Sequence, residues 1–227
     1  MLRAGVIGLG DMGSGLAKNL IKNGIATTGL DLSDERMSAF VEMSGTPAGS
    51  VAELGTNSDA VFVMVMNGVQ AKAVILGDDG LAAHMPKGGA VILTATIKPS
   101  EARDIGAALE GSGIHLIDSP VSGGFPGAQG GTLTMMAAAT SEVLDQYKPI
   151  MGAVSKTIHR VGTRAGDGQV MKSCLQTLIG SIFGATFEAA ALAAKAGVSG
   201  QALYDVFSTS GASCGVANGA LENIIDR

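Results

Sequence analysis

A short apolar run, residues 4–7, passes directly into Gly8-Leu9-Gly10-Asp11-Met12-Gly13 and from there into an amphipathic stretch, residues 11–22. A strand that turns through glycines into a helix leaves few folds open, because the helix must come back over the strand it follows. Each glycine of this G-x-G-x-x-G arrangement has its own steric task. Gly8 makes the tight turn, Gly10 lets the backbone approach a pyrophosphate, and Gly13 allows helix and strand to pack closely. The helix aims its first N–H groups and its positive dipole end at the same place. A glycine turn alone carries little weight in a chain with 34 glycines among 227 residues. Asp31 adds the second half of the pattern, at the end of the second apolar run, 21 residues beyond Gly10. A carboxylate there accepts hydrogen bonds from ribose hydroxyls and repels a 2′-phosphate, and Leu32 rather than an arginine follows it. The combination predicts a dinucleotide site that takes NAD in preference to NADP.

The first 162 residues keep this grammar. Apolar runs at 25–30, 60–66, 90–93 and 114–117 read as strands, and the continuous run AVFVMVM at 60–66 marks one buried on both faces. Between them lie helical stretches. Ser33 is placed to cap residues 34–43, Ser50 and Glu53 have capping-box spacing, and Pro99 suits the first turn of residues 99–109. Strands separated by helices predict an α/β fold, a doubly wound parallel sheet of Rossmann type. Residues 133–137 and 157–161 are expected to extend it. Beyond about residue 166 the strand pattern stops. Val170, Cys174, Leu178 and Ile182 recur at helical spacing, as do Met171, Leu175 and Ile179, and the run continues through Ala196. This predicts one helix of roughly thirty residues, on the order of 45 Å long, ended by Gly197. Shorter helices follow, one after Ser199 near 201–207 and one at 216–226. The expected domains are therefore 1–162 for the dinucleotide and 163–227, all helical, for substrate binding and self-association. A helix this long and apolar is expected to pack against another domain or another subunit, and the assembly expected is a homodimer or homotetramer.

Composition narrows the function. The net charge of -5 and the absence of any Lys/Arg cluster argue against nucleic acid. Two cysteines, Cys174 and Cys214, make no disulfide framework and fit a reducing cytoplasm. The apolar run 173–187 is 15 residues long and ends at Glu188, short of the ~20 a membrane span needs. His84, His115 and His159 are scattered without metal-ligand spacing, so no metal site is expected.

Further stretches carry a family resemblance: GLGDMGSGLAKNLIKNG at 8–24, TATIKPSEAR at 94–103, DSPVSGG at 118–124 continuing GAQGGTLTMM, and GDGQVMK at 166–172. In order and spacing the chain resembles the β-hydroxyacid dehydrogenases, the group of 3-hydroxyisobutyrate, tartronate semialdehyde, 6-phosphogluconate and threonate dehydrogenases. The resemblance implies roles position by position. Lys172 matches the catalytic lysine. Ser122, Gly123 and Gly124 match the segment that holds the substrate's carboxylate and hydroxyls. Thr96 matches a residue beside the nicotinamide, and Gly8 to Gly13, with Leu9, Asp11 and Met12 between the glycines, match the cofactor loop. Val65 and Met66 match a Leu-Pro pair on the adenosine side, although the proline is absent here. Two departures stand out. The family's KxxN or KxxH reads here as Lys172 followed by Leu175, which cannot hydrogen-bond, so substrate orientation is expected to shift to Gln176. Family members also continue for further helices that carry a second lysine, so the helical part is expected to be shortened relative to the family.

The chemistry follows from the residues. Oxidising a secondary alcohol with NAD sends a hydride to the nicotinamide and the hydroxyl proton to a base. An ordinary lysine is too basic for that work at neutral pH, and partial burial lowers its pKa into use. The backbone N–H groups and hydroxyl of 122–124 suit a carboxylate. Asp118 reads as a strand end without an acid–base role, and Cys174 as an inert thiol. The leading expectation is an NAD-dependent oxidoreductase of a small β-hydroxy acid, with sugar acids such as threonate among the candidates. The rivals are an imine reductase on the same scaffold, whose members usually replace the lysine, and a non-catalytic dinucleotide-binding or interaction protein.

Overall fold

The centre of the sheet is built from three tetrapeptides buried along their whole length, Ala4–Ile7 (β1), Ala60–Val63 (β4) and Ala90–Leu93 (β5). Side chains alternate across a strand, and here both faces are covered. Val6, Phe62 and Ile92 point into one apolar core, while Ile7, Val61, Val63, Val91 and Leu93 point into the other. Only residues apolar on both sides satisfy that demand, which is why these strands read as unbroken runs. The computed structural model describes residues 2–225.

The other elements of the sheet unit are α1 (Asp11–Lys22), β2 (Thr27–Leu30), α2 (Asp34–Glu42), β3 (Thr46–Pro47), α3 (Val51–Thr56), α4 (Gly68–Leu76), α5 (Leu81–His84) and α6 (Pro99–Leu109). After these come β6 (His115–Asp118), β7 (Val121–Ser122), α7 (Gly124–Gly130), β8 (Leu133–Ala138), α8 (Ser141–Val154) and β9 (Ser155–Gly162). The strand order is β3-β2-β1-β4-β5-β6-β8-β7, with β9 on β8, and β3 through β6 run parallel. The expected doubly wound sheet is present, with a change of direction at its far side. There β8 lies antiparallel to β6 and β7 in one continuous register, Asp118 opposite Ala138 and Val121 opposite Met135. β7 therefore extends the line of β6 past Ser119-Pro120.

Several local expectations are adjusted. Ser33 caps α2, but the Ser50 box is not reciprocal. Ser50 Oγ accepts from the Glu53 amide at 3.1 Å, whereas the Glu53 carboxylate takes the amide of Gly49 at 2.7 Å. The run 60–66 forms strand only to Val63, because Met64 to Met66 turn out of the sheet toward α4. α7 has the unpromising sequence GFPGAQG and forms in spite of it. It packs on α1, where a Cβ on Gly15 would lie 2.6 Å from the Ala128 carbonyl carbon. Phe40 sets the edge near β2. It is fully buried, and a side chain on either Gly29 or Gly45 would collide with its ring.

The chain divides into two compact units, Met1–Lys172 and Ser173–Arg227, and α9 (Asp167–Lys195) begins in the first and continues into the second. In the second unit α9 is followed by α10 (Gly200–Thr209), capped by Ser199, and α11 (Gly215–Ile225). The expectation of a last helix to residue 226 runs one residue outside the described ones. Tyr204 on α10 donates to Glu222 on α11 at 2.6 Å, and Ala217, Ala220 and Leu221 are buried. α9 leaves Leu178, Phe183, Phe187 and Leu192 exposed, with the two phenyl rings stacked at 5.8 Å. By length and composition α9 is apolar enough to cross a bilayer, which corrects the 15-residue count. Glu188 does not end the helix; it is one charge within a longer apolar run.

Phe40→Ala should cost about 3–5 kcal/mol of unfolding free energy, read from urea unfolding. Gly29 and Gly45 offer no side chain to fill the space left behind.

Candidate functional site

The site is assembled at the carboxyl ends of the parallel strands, where a doubly wound sheet opens a crevice. At the end of β1 the chain must reverse within a few residues. Gly8 does this with φ +88°, and a side chain there would strike the Met64 carbonyl oxygen at 2.2 Å. Gly13 passes so close over the turn that a Cβ would meet the Gly8 carbonyl oxygen at 1.7 Å. Gly10 differs. The nearest atoms to its missing side chain belong to the Arg36 guanidinium, 3.8 Å away. α1 starts at Gly10 without any side-chain cap, so its first N–H groups and its dipole are available to an anion. Asp11 and Met12 lie in that first turn, Asp11 exposed and Met12 half-buried.

Asp31 directly follows β2, and its side chain is nearly buried. Its carboxylate accepts from the Leu9 amide at 2.6 Å and from the Ser33 amide at 2.9 Å, with the Arg36 guanidinium 3.5 Å away. The acid thus holds the glycine loop. Arg36 went unnoticed in the sequence because it lies five residues past Asp31; the first turn of α2 brings it back. Val65 is half-buried and Met66 exposed, and the Met66 amide donates to Gln70 on α4 at 3.0 Å. These residues fit a dinucleotide: a tight turn, an open backbone face at an uncapped helix start, and a carboxylate at the neighbouring strand end.

After β5, Thr94 is buried, its hydroxyl donating to the Val63 carbonyl, while Thr96 is exposed between Ala95 and Ile97. Across from this segment lies the start of α9. Gly166 has φ +94°, and a side chain on Gly168 would meet the Asp118 and Met136 carbonyl oxygens at 2.6 and 2.7 Å. The two glycines of the G-x-G-x-x-x-K motif therefore let the helix begin directly against the end of β6 and the middle of β8. One turn on, Lys172 is half-buried and its Nζ donates to the Val121 carbonyl at 2.8 Å. Burial holds the Lys172 ammonium below the ordinary lysine pKa. Val121 is followed at once by Ser122, Gly123 and Gly124. Gly123 and Gly124 take φ +130° and +57° and lead into α7, which no side chain caps. The structure therefore brings Lys172 to the start of the Ser122 segment. Leu175, half-buried, and Gln176, exposed, follow on the same helix.

Two groups are more important here than their sequence suggested. Asp118 is completely buried, accepting from the Gly166 amide at 2.8 Å, the Gln169 amide at 3.3 Å and Gln169 Nε2 at 2.9 Å. Its burial pushes the carboxyl up, against the lowering effect of those hydrogen bonds. The signal available was an acid closing an apolar strand, since a buried acid needs partners. Gln169, also buried, lay unassigned inside GDGQVMK.

Comparison with known proteins matches residues 3–162 to the NAD binding domain of 6-phosphogluconate dehydrogenase. Residues 166–227 match the NAD-binding region of NADP-dependent 3-hydroxyisobutyrate dehydrogenase. An L-threonate dehydrogenase of Cupriavidus necator is 38% identical over 206 residues, 91% of this chain and 69% of the relative. An NAD-dependent L-serine dehydrogenase of Pseudomonas aeruginosa is 34% identical, over 92% of this chain and 70% of its own. Among solved structures, a 3-hydroxyisobutyrate dehydrogenase from Salmonella typhimurium superposes with a TM-score of 0.89 at 31% identity, covering all of this chain and 79% of its own.

Gly13→Ala should weaken NAD binding at least tenfold in a calorimetric titration, because the added methyl forces the Gly8 carbonyl out of the turn. Gly10→Ala has room for its methyl in the unliganded fold and should keep the stability of the wild type, yet it too should bind NAD more weakly, because the methyl fills the face that the pyrophosphate approaches.

Proposed function

The chain belongs to the β-hydroxyacid dehydrogenase family, and from that premise we propose that it oxidises a small β-hydroxy acid of the threonate type with NAD, using Lys172 as the proton acceptor. It is an oxidoreductase acting on a CH–OH group, as the family is. The observation that carries the finer reading is Lys172 itself, a half-buried amine hydrogen-bonded at 2.8 Å to the carbonyl that precedes Ser122-Gly123-Gly124. NAD, when bound, supplies the hydride acceptor. Gly8, Leu9, Gly10, Asp11, Met12 and Gly13 hold its pyrophosphate, Asp31 its ribose hydroxyls, and Val65 and Met66 flank its adenosine side. Thr96 stands beside the nicotinamide. The Asp31 carboxylate disfavours a 2′-phosphate. Arg36, 3.5 Å from it, leaves that preference smaller than an isolated acid would give.

The chain's own contribution is to bind, orient and move one proton. The amides and hydroxyl of 122–124 take the substrate carboxylate and a hydroxyl. Lys172 spends one N–H on Val121 and keeps the rest of its amine for the alcohol that loses its proton. Gln176 replaces the hydrogen-bonding residue that Leu175 cannot be. The L-threonate and L-serine dehydrogenases among the relatives support a short, polar hydroxy acid. Retention of the lysine and of the Ser-Gly-Gly segment favours this over imine reduction. The exposed apolar face of α9, with Leu178, Phe183, Phe187 and Leu192, is read as the surface a second copy covers. On this reading the protein works in the cytoplasm as a homodimer or homotetramer.

Three measurements test the proposal. With L-threonate and NAD, Lys172→Ala should lose about 10²–10⁴-fold in kcat and still bind NAD; retained turnover would sink the assignment. In the direction of oxidation the neutral amine is the active form. The rate should therefore rise with pH through a midpoint below the ordinary lysine pKa, and that limb should vanish in Lys172→Arg. Leu178→Glu combined with Phe187→Glu should reduce the mass measured by light scattering to that of a single chain.

A further inference from the structure

Beneath Lys172 lies a buried polar cluster that the chemistry described above does not use. The side-chain amide of Gln169 accepts from the Ile97 amide at 3.0 Å through Oε1. Its Nε2 donates to the Ala95 carbonyl at 3.1 Å and to the Asp118 carboxylate at 2.9 Å. Its orientation is chemically determined. A flipped amide would set oxygen against a carbonyl and a carboxylate, and nitrogen against an N–H. Ala95 and Ile97 flank Thr96, so Gln169 grips the segment assigned to the nicotinamide side from both ends. Gln169 stands one helical turn before Lys172, and Asp118 stands three residues before Val121, whose carbonyl receives the Lys172 amine. The strand end and the helix start are thus joined by two rungs, Asp118 with Gln169 and Val121 with Lys172.

We propose that Gln169, anchored by Asp118, is a positioning residue that sets the Lys172 amine relative to the Thr96 segment. This fixes the proton acceptor against the side where hydride leaves. The inference rests on the reading of Lys172 as the base. Near-attack geometry is the kind of quantity such a residue governs, and misplacement by about 1 Å can cost 10²-fold in rate. Removing the amide should therefore act on kcat and spare ground-state binding. Exchanging the partners should recover part of the loss. Asp118→Asn with Gln169→Glu reverses donor and acceptor between the two side chains and keeps one negative charge, although it leaves the Ala95 carbonyl without a donor.

The test uses the whole chain in four forms: wild type, Gln169→Leu, Gln169→Glu and the exchanged double variant. Three quantities are read: steady-state kinetics with L-threonate and NAD, the NAD dissociation constant, and the acetylation rate of Lys172 by an N-hydroxysuccinimide ester at fixed pH, followed by mass spectrometry against Lys18 as internal reference. Gln169→Leu should lower kcat at least 30-fold with KM and NAD affinity within threefold, and should speed Lys172 acetylation at least fivefold. The double variant should exceed Gln169→Glu in kcat at least fivefold. Unchanged kcat and labelling in Gln169→Leu would overturn the proposal. So would a loss of kcat matched by loss of NAD binding, which marks a merely structural residue. If wild type turns over no hydroxy acid, the functional reading falls, and the labelling rates still decide the positioning claim. A Gln169→Leu chain that does not fold leaves the decision to Gln169→Glu and its exchange partner, where failure of the exchange to recover labelling or rate counts against it.

Discussion

The Asp118 carboxylate sits at the end of β6 with no solvent and, among the described residues, no cation in ion-pair range. A charge in such a place costs several kcal/mol unless it is compensated. Here the compensation comes from the Gly166 and Gln169 amides, the Gln169 side chain and the positive end of α9. It works only if the helix starts at this spot and in this direction. Much else follows from that restriction. Gly168 must be bare because strand carbonyls lie 2.6 and 2.7 Å from where its side chain would be. Lys172, one turn further on, comes level with Val121.

The same device recurs at β2. Asp31 directly follows a strand, and it also accepts the amide of a neighbouring loop, that of Leu9. In both places an acid at the carboxyl end of a strand ties down a glycine-bearing turn that leads into a helix. The two turns are those that the proposed reaction asks to be rigid, one holding the cofactor's phosphates and one holding the proton acceptor. A carboxylate suits the task because its two oxygens can accept from several N–H groups at once.

How much of this could be read from the chain depended on whether the constraint was local. β1 and β5 were legible to the residue because burial on both faces demands apolar runs, and α6 because Pro99 opens it and Leu109 closes its apolar stripe. The direction of β8 was not legible. Leu133 to Ala138 is as apolar as a parallel strand, and only the Ser119-Pro120 break and the return through α7 decide its sense. α7 itself runs against the propensities of its glycines and proline, and contact with α1 supplies the stability that its own turns lack. In the site, the glycines stood out because steric demands leave fixed spacings, whereas Lys172 stood out only through the family resemblance, since a lysine on a helix is by itself an ordinary surface residue. Asp118 and Gln169 did not stand out, because their partners lie 48 and 72 residues away, at distances no motif records, and Arg36 did not, because only the turn from β2 into α2 brings it back to Asp31.

In the proposed reaction Lys172 faces two opposing demands. An amine that is to accept the alcohol's proton must be kept from holding one too firmly, yet it must also be held still. A carboxylate would orient it but raise its pKa. The fold separates the two tasks. Asp118 spends its charge on the N–H groups of residues 166 and 169, and among the described residues no ion pair involves Lys172. Orientation comes instead from a neutral acceptor, the Val121 carbonyl, while burial keeps the ammonium below its ordinary pKa. Gln169 serves this division because an amide can bond to the acid and to the Thr96 segment without carrying charge itself. A glutamate at 169 would hold an acceptor in the same place and add a second negative charge one turn from the amine, the outcome that the arrangement of β6 and α9 avoids.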